Sequence, residues 1–249
     1  MTLTSTKRLS QTLALATLVL APTLASAQLT ANVSLTSNYK FRGQDQHFVE
    51  SSAFKPALQG GFDYAHDSGF YVGNWNSTVK WLSNNSLESD LYGGYKFKAA
   101  GVDFDLGLIT YLYPGNSVGN TTEIYAGATW GPVTAKYSST VSKDYFYWYG
   151  NGKGRGTGYF NLAYAQELAK GLTLKASLGY TNFKGALNNA GTPDYTDYSL
   201  GLSYDLGNGF SLAGTLIGAT KKDAGAFIYL ENGKSINRNV LQVTLTKSM

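Results

Sequence analysis

Residues 29–42, LTANVSLTSNYKFR, separate by parity into two unlike faces. Odd positions give Leu29, Ala31, Val33, Leu35, Ser37, Tyr39 and Phe41; even positions give Thr30, Asn32, Ser34, Thr36, Asn38, Lys40 and Arg42. Successive side chains of a strand point to opposite sides, so this stretch predicts one apolar and one polar surface. It is more than twice the roughly 5–6 residues of an ordinary strand, and it exceeds the roughly 9–11 tilted residues that span a bilayer. A strand greasy on one side and wet on the other suits the wall of a transmembrane barrel, and such a wall needs neighbours.

The chain before this stretch reads as an export signal. Lys7 and Arg8 are followed by an apolar run, LALATLVLA at 13–21, and by the small-residue site Ala25-Ser26-Ala27. The run is too short for a membrane helix, and cleavage is expected after Ala27. We therefore divide the chain into a signal at 1–27 and a barrel at 28–249. Two of the 20 basic residues and none of the 16 acidic ones lie in the signal, which leaves a balance of about +2 and no charge argument for a nucleic-acid partner. Zero cysteines excludes disulfides and thiolate chemistry.

Twelve segments alternate in this way: 29–42, 56–66, 70–81, 87–97, 102–113, 121–130, 133–142, 158–166, 172–181, 195–206, 210–220 and 238–249. Short connections alternate with longer ones, as in barrels with tight turns at one rim and long loops at the other. Glycine (29), tyrosine (19) and phenylalanine (12) are plentiful, as expected for turns and interfacial aromatics. The expected fold is an all-β, antiparallel, up-and-down transmembrane β-barrel of about 12 strands, with the first strand zipped to the last because no edge can stay open in lipid.

Ser37–Gln46, SNYKFRGQDQ, and Pro56–Trp75, PALQGGFDYAHDSGFYVGNW, resemble the TorF-like porin family of bacterial outer membranes, also known as Gcw_chp. The match is strongest over about 35–81. The resemblance implies a barrel in the bacterial outer membrane acting as a pore, with outer-membrane lipid, lipopolysaccharide and the outer-membrane assembly machinery as its partners.

Catalysis has little to draw on. His47 falls in the first long loop and His66 in a tight turn at the opposite rim, so they share neither a metal nor a proton relay. Neither a catalytic residue, a metal site nor a cofactor is assigned. The GNGKGRGTG run at 150–158 lacks the Lys-Ser/Thr and the following helix of a phosphate loop, and reads as an external loop. The aromatic block before it, Tyr145, Phe146, Tyr147, Trp148 and Tyr149, has two readings: an interfacial girdle carried by extended strands, or a stacking platform for a solute at the pore mouth.

Alternation assigns the pore lining to Lys40, Arg42, Asp63, Lys80, Glu88, Asp90, Lys96, Glu123, Lys136, Lys175, Asp197 and Arg238, with Asp103, Asp105 and Asp205 on the same surface. Bases and acids nearly balance, which favours cross-strand ion pairs over a separate anion-attracting cluster of Lys40, Arg42 and Lys80. The expected activity is passive diffusion of small hydrophilic solutes, without enzymatic chemistry. The alternative is a plugged structural or ligand-binding barrel acting through its extracellular loops.

Overall fold

The computed structural model describes residues 28–47, 54–146, 154–189, 191–227 and 234–249. Residues 1–27, where the export signal was read, lie outside the described residues, as do Tyr147, Trp148 and Tyr149.

Twelve antiparallel strands close into one barrel. In chain order they are β1 (Gln28–Thr36), β4 (Ala57–Ala65), β5 (Phe70–Thr78), β6 (Leu87–Ala99), β7 (Val102–Leu112), β8 (Thr121–Trp130), β9 (Val133–Thr140), β10 (Gly158–Ala169), β11 (Leu172–Asn182), β12 (Tyr195–Gly207), β13 (Phe210–Ala219) and β14 (Val240–Ser248). Each strand pairs with the next in sequence, and β1 completes the ring against β14, with Leu35 opposite Leu245. Backbone bonds between Ala31 and Met249, 2.8 and 3.1 Å, extend that seam to the end of the chain.

The alternation has its expected cause. Leu29, Leu35, Leu58, Phe62, Leu106, Leu162, Leu200, Leu212 and Leu241 are exposed on the outside, where lipid would cover them, while Ser34, Thr36, Gln59, Asn161, Thr181 and Ser203 are buried within. Turns join the strands at the rim that carries both ends of the barrel, and longer connections leave the other rim. One two-residue turn follows β12, where Asn208 (φ 53°) and Gly209 (φ 79°) both take the left-handed backbone that such a hairpin loop requires.

Two expectations need correction. First, the barrel strand β1 ends at Thr36, not at Arg42. The chain turns inward at Ser37, and Lys40–Phe41 (β2) and Gln44–Asp45 (β3) pair as a small separate hairpin. Arg42 (φ 47°) and Gly43 (φ 76°) form its two-residue loop. Tyr39 is buried and Phe41 packs against the same interior cluster, so neither is an interfacial ring. Second, β5 faces the opposite way. Trp75 and Val79 are buried inside with Tyr71, while Phe70 and Val72 are exposed. Period two identifies two faces without saying which is inner, and here the aromatic face packs on the inward hairpin. Phe227 sits in a short 3-10 turn, Gly225–Phe227, fully buried against Phe183 and Tyr195.

Candidate functional site

The interior divides into two levels. In the half nearer the long loops, the β2–β3 hairpin crosses the lumen and touches wall on several sides. Tyr39 meets Trp75 of β5 edge-on, with ring centres 5.7 Å apart, and its hydroxyl donates to Glu88 Oε1 of β6 at 3.3 Å. Phe41 packs on Tyr111 of β7 and on Phe146. The tip reaches the far wall, where Gly43 lies so close to the Gly218 carbonyl and the Asp197 and Ala219 side chains that a β-carbon would overlap all three. Glycine is needed there for space as well as for its positive φ.

Charge fixes the hairpin. The Arg42 guanidinium grips Glu123 of β8 with two bonds, 3.0 and 2.7 Å, donates to the Tyr145 hydroxyl at 3.0 Å, and lies 4.0 Å from the centre of the Tyr159 ring of β10. A planar fork on a carboxylate gives direction as well as energy. Lys40 donates to the carbonyls of Gly43, Ile236 and Arg238 at 3.1, 2.9 and 2.6 Å, and pairs with Asp45 at 3.4 Å. Arg238 Nε takes the other Asp45 oxygen at 2.9 Å.

The half nearer the short turns is built differently. Cross-strand pairs set tyrosine against glycine: Tyr92 opposite Gly73, Tyr71 opposite Gly94, and Tyr125 opposite Gly107. A methyl group on any of these glycines would overlap the facing ring, so the rings lie flat on the wall and leave lumen width unspent. Tyr92 donates to Asp63 and Tyr71 to Asp105, both at 2.6 Å, and the Tyr71 and Tyr125 hydroxyls bond each other. Lys96 Nζ stands 4.7 Å from the Tyr71 ring centre and Lys136 Nζ 3.7 Å from that of Tyr125. A ladder of paired residues, Lys96, Asp105, Gly127, Lys136, Asn161, Gly179 and Asp197, carries this inner surface from β6 round to β12.

The expected lining residues thus divide. Asp63, Lys96, Lys136, Lys175 and Asp197 belong to inward faces of the wall; Glu88, Asp90 and Glu123 are buried behind the hairpin; and Lys40, Arg42 and Arg238 belong to the plug and its anchor. Lys80 departs from that expectation: it is exposed, beyond the end of β5, with its backbone N–H donating to the Gln46 carbonyl. Lys40 and Arg42 are committed to Asp45 and Glu123, so they are not the free bases that an anion-attracting cluster with Lys80 would need. Tyr145 and Phe146 are buried in the interior cluster, so these two form neither a girdle nor an open platform. Asp45, two residues before His47 and at the end of β3, is held by Lys40 and Arg238. His66 bonds Ser68 at the other rim. Sequence reasoning gave Asp45 no place in the interior and overlooked Tyr111 and the wall tyrosines. The Arg42-Gly43 pair flanked by Lys40 and Asp45 was the available signal for the hairpin.

A family model described as "Bacterial protein of unknown function (Gcw_chp)" matches residues 21–249. No curated protein sequence matches. Among solved structures, the fold is similar to a KdgM porin (TM-score 0.55, 9% identity, covering 88% of this chain and 99% of that one). It is also similar to a NanC porin (0.55, 11%, 88% and 98%) and to a KdgM porin in complex with disordered oligogalacturonate (0.54, 9%, 89% and 98%). At these identities the likeness is one of fold.

Proposed function

This chain belongs to the Gcw_chp family of bacterial proteins of unknown function, and on that premise we propose that it is an outer-membrane channel for passive diffusion of small hydrophilic solutes, narrowed by its own first loop. The observation that carries the proposal is the inversion of the barrel, apolar side chains outward and charged or hydroxylated ones inward around a closed ring. Such a wall satisfies every strand edge in lipid and offers water a polar interior. The fold shared with porins supports the same reading. Residues 1–27 act as the export signal, the short turns face the periplasm, and the barrel is inserted by the outer-membrane assembly machinery into a bilayer of lipid and lipopolysaccharide. Within the family we place it with the TorF-like porins. The mechanism needs no catalytic group or cofactor: solutes diffuse past the hairpin and along the tyrosine-lined half, their size limited by what the hairpin leaves open. Acidic oligosaccharides are the first solutes to try, given the oligogalacturonate complex of a KdgM porin.

One observation favours a second reading, a barrel plugged at rest that acts through its loops: the hairpin touches β5, β6, β7, β8 and β10 within the same half. Single-channel recording of refolded protein in a planar bilayer separates the two. Discrete steps from the intact protein support the channel. Silence from intact barrels, with steps appearing once residues 38–46 are deleted, establishes the plug.

A further inference from the structure

Glu88, Asp90 and Glu123 are each buried behind the hairpin, at 1%, 0% and 1% exposure, and Asp90 lies in electrostatic range of the other two. Arg42 is committed to Glu123 by two bonds, and Lys40 to Asp45 and three carbonyls. Among the described residues, both oxygens of Asp90 and the Oε2 of Glu88 have no hydrogen-bond partner. Two carboxylates therefore stand side by side on the inner face of β6 with no counter-charge of their own. Leaving a buried carboxylate unpaired is costly, and the cost is relieved by a cation.

We propose that Glu88 and Asp90 bind one hard metal cation of the Ca2+ class in the wall behind the hairpin. The donor set is all oxygen, which selects hard cations over soft ones. Among the described residues no three acidic or histidine side chains gather as a metal group, so the two carboxylates are completed by neutral oxygens, namely water and the hydroxyls of Tyr39 and Tyr113 beside Glu88. The hairpin covers the pair on the lumen side through Tyr39, so the cation ties plug to wall at a second point, apart from the Arg42–Glu123 clasp.

Terbium tests this directly, because Trp75 is the cross-strand partner of Asp90 and would sensitise a lanthanide held there. The measurement uses refolded full barrel in detergent, with folding checked by heat-modifiable migration and circular dichroism. Expected is saturable terbium emission on tryptophan excitation, displaced by excess Ca2+, and weakened roughly tenfold or more in Asp90→Asn. Glu88→Gln should weaken it similarly, while Lys98→Ala, at the distant rim, leaves it unchanged. Neutralising an unpaired buried charge removes a folding penalty, so these variants are expected to fold; were Asp90→Asn to misfold, Glu88→Gln decides. No sensitised emission from the folded wild type, or emission that both acid variants retain, overturns the site and leaves the pair carrying protons instead. Binding is read without current, so a silent channel does not decide it.

Discussion

The two halves of the barrel interior solve one problem, what to put inside a twelve-stranded ring, in opposite ways. The half nearer the long loops is filled by folding part of the chain into it, with charges spent on holding that segment: Arg42 on Glu123, Lys40 on Asp45 and on carbonyls. The other half is lined by flattening tyrosines against glycines, with Lys96 and Lys136 laid over the rings. The first arrangement gives up lumen to gain a plug; the second preserves lumen. A single period-two pattern encodes both, and the difference lies in whether the facing position is a glycine or a loop.

The largest effect should come from removing the plug. Deleting residues 38–46 is expected to raise single-channel conductance several-fold while the barrel still folds, because the ring of twelve strands does not pass through the hairpin. No rise would mean that the constriction lies in the short-turn half. Next is the clasp. Glu123→Gln leaves the Arg42 guanidinium buried with half a partner, and a loss of about 3 kcal/mol is expected in urea unfolding, together with flickering currents as the hairpin lifts. Combining it with Arg42→Gln should cost less than the two separate losses added together, which marks a direct pair.

Smaller effects test the other half. Gly107→Ala pushes Tyr125 off the wall into the lumen, so conductance should fall and stability drop by about 1–3 kcal/mol. The same substitution at Gly101, where nothing lies near a new β-carbon, serves as its control for conductance. Lys136→Ala removes a positive charge from the inner ladder and should move the reversal potential in a salt gradient toward cation preference. Lys80→Ala should leave that potential unmoved and stability within about 0.5 kcal/mol, since Lys80 is exposed beyond the end of β5, next to the buried Val79. A shift from Lys80→Ala would put that residue back among the lining.

Strand positions were legible because lipid demands an apolar residue at every second place, and the expected bounds fall within one residue of the observed ones in β8, β11, β12 and β13. The interior was less legible, since its rule is packing against a particular neighbour. β5 shows this: placing Lys80 in the lumen turns Tyr71 and Trp75 outward, yet they pack on Asp105, Tyr125 and Tyr39. The hairpin was hidden for a related reason. Alternation continues unbroken from 29 to 42 because both β1 and β2 are extended, so the pattern passes smoothly through the bend at Ser37. The candidate site inherited both errors: Lys80 was assigned inward with the polar face of its segment, and Lys40 and Arg42 were read as wall residues when they belong to the plug.

Lys40 holds the carbonyls of Ile236 and Arg238, just ahead of β14, the strand that meets β1 to complete the ring. Those partners lie nearly two hundred positions later in the sequence, so the Lys40 side of the hairpin's berth is complete only once the last strand has arrived. Contacts this remote along a chain form late and slowly. A half-assembled ring therefore holds its first loop on one side only, and a finished one holds it on both. Closure of the ring and the final seating of the hairpin coincide, so the width of the passage is set at the moment the barrel is complete.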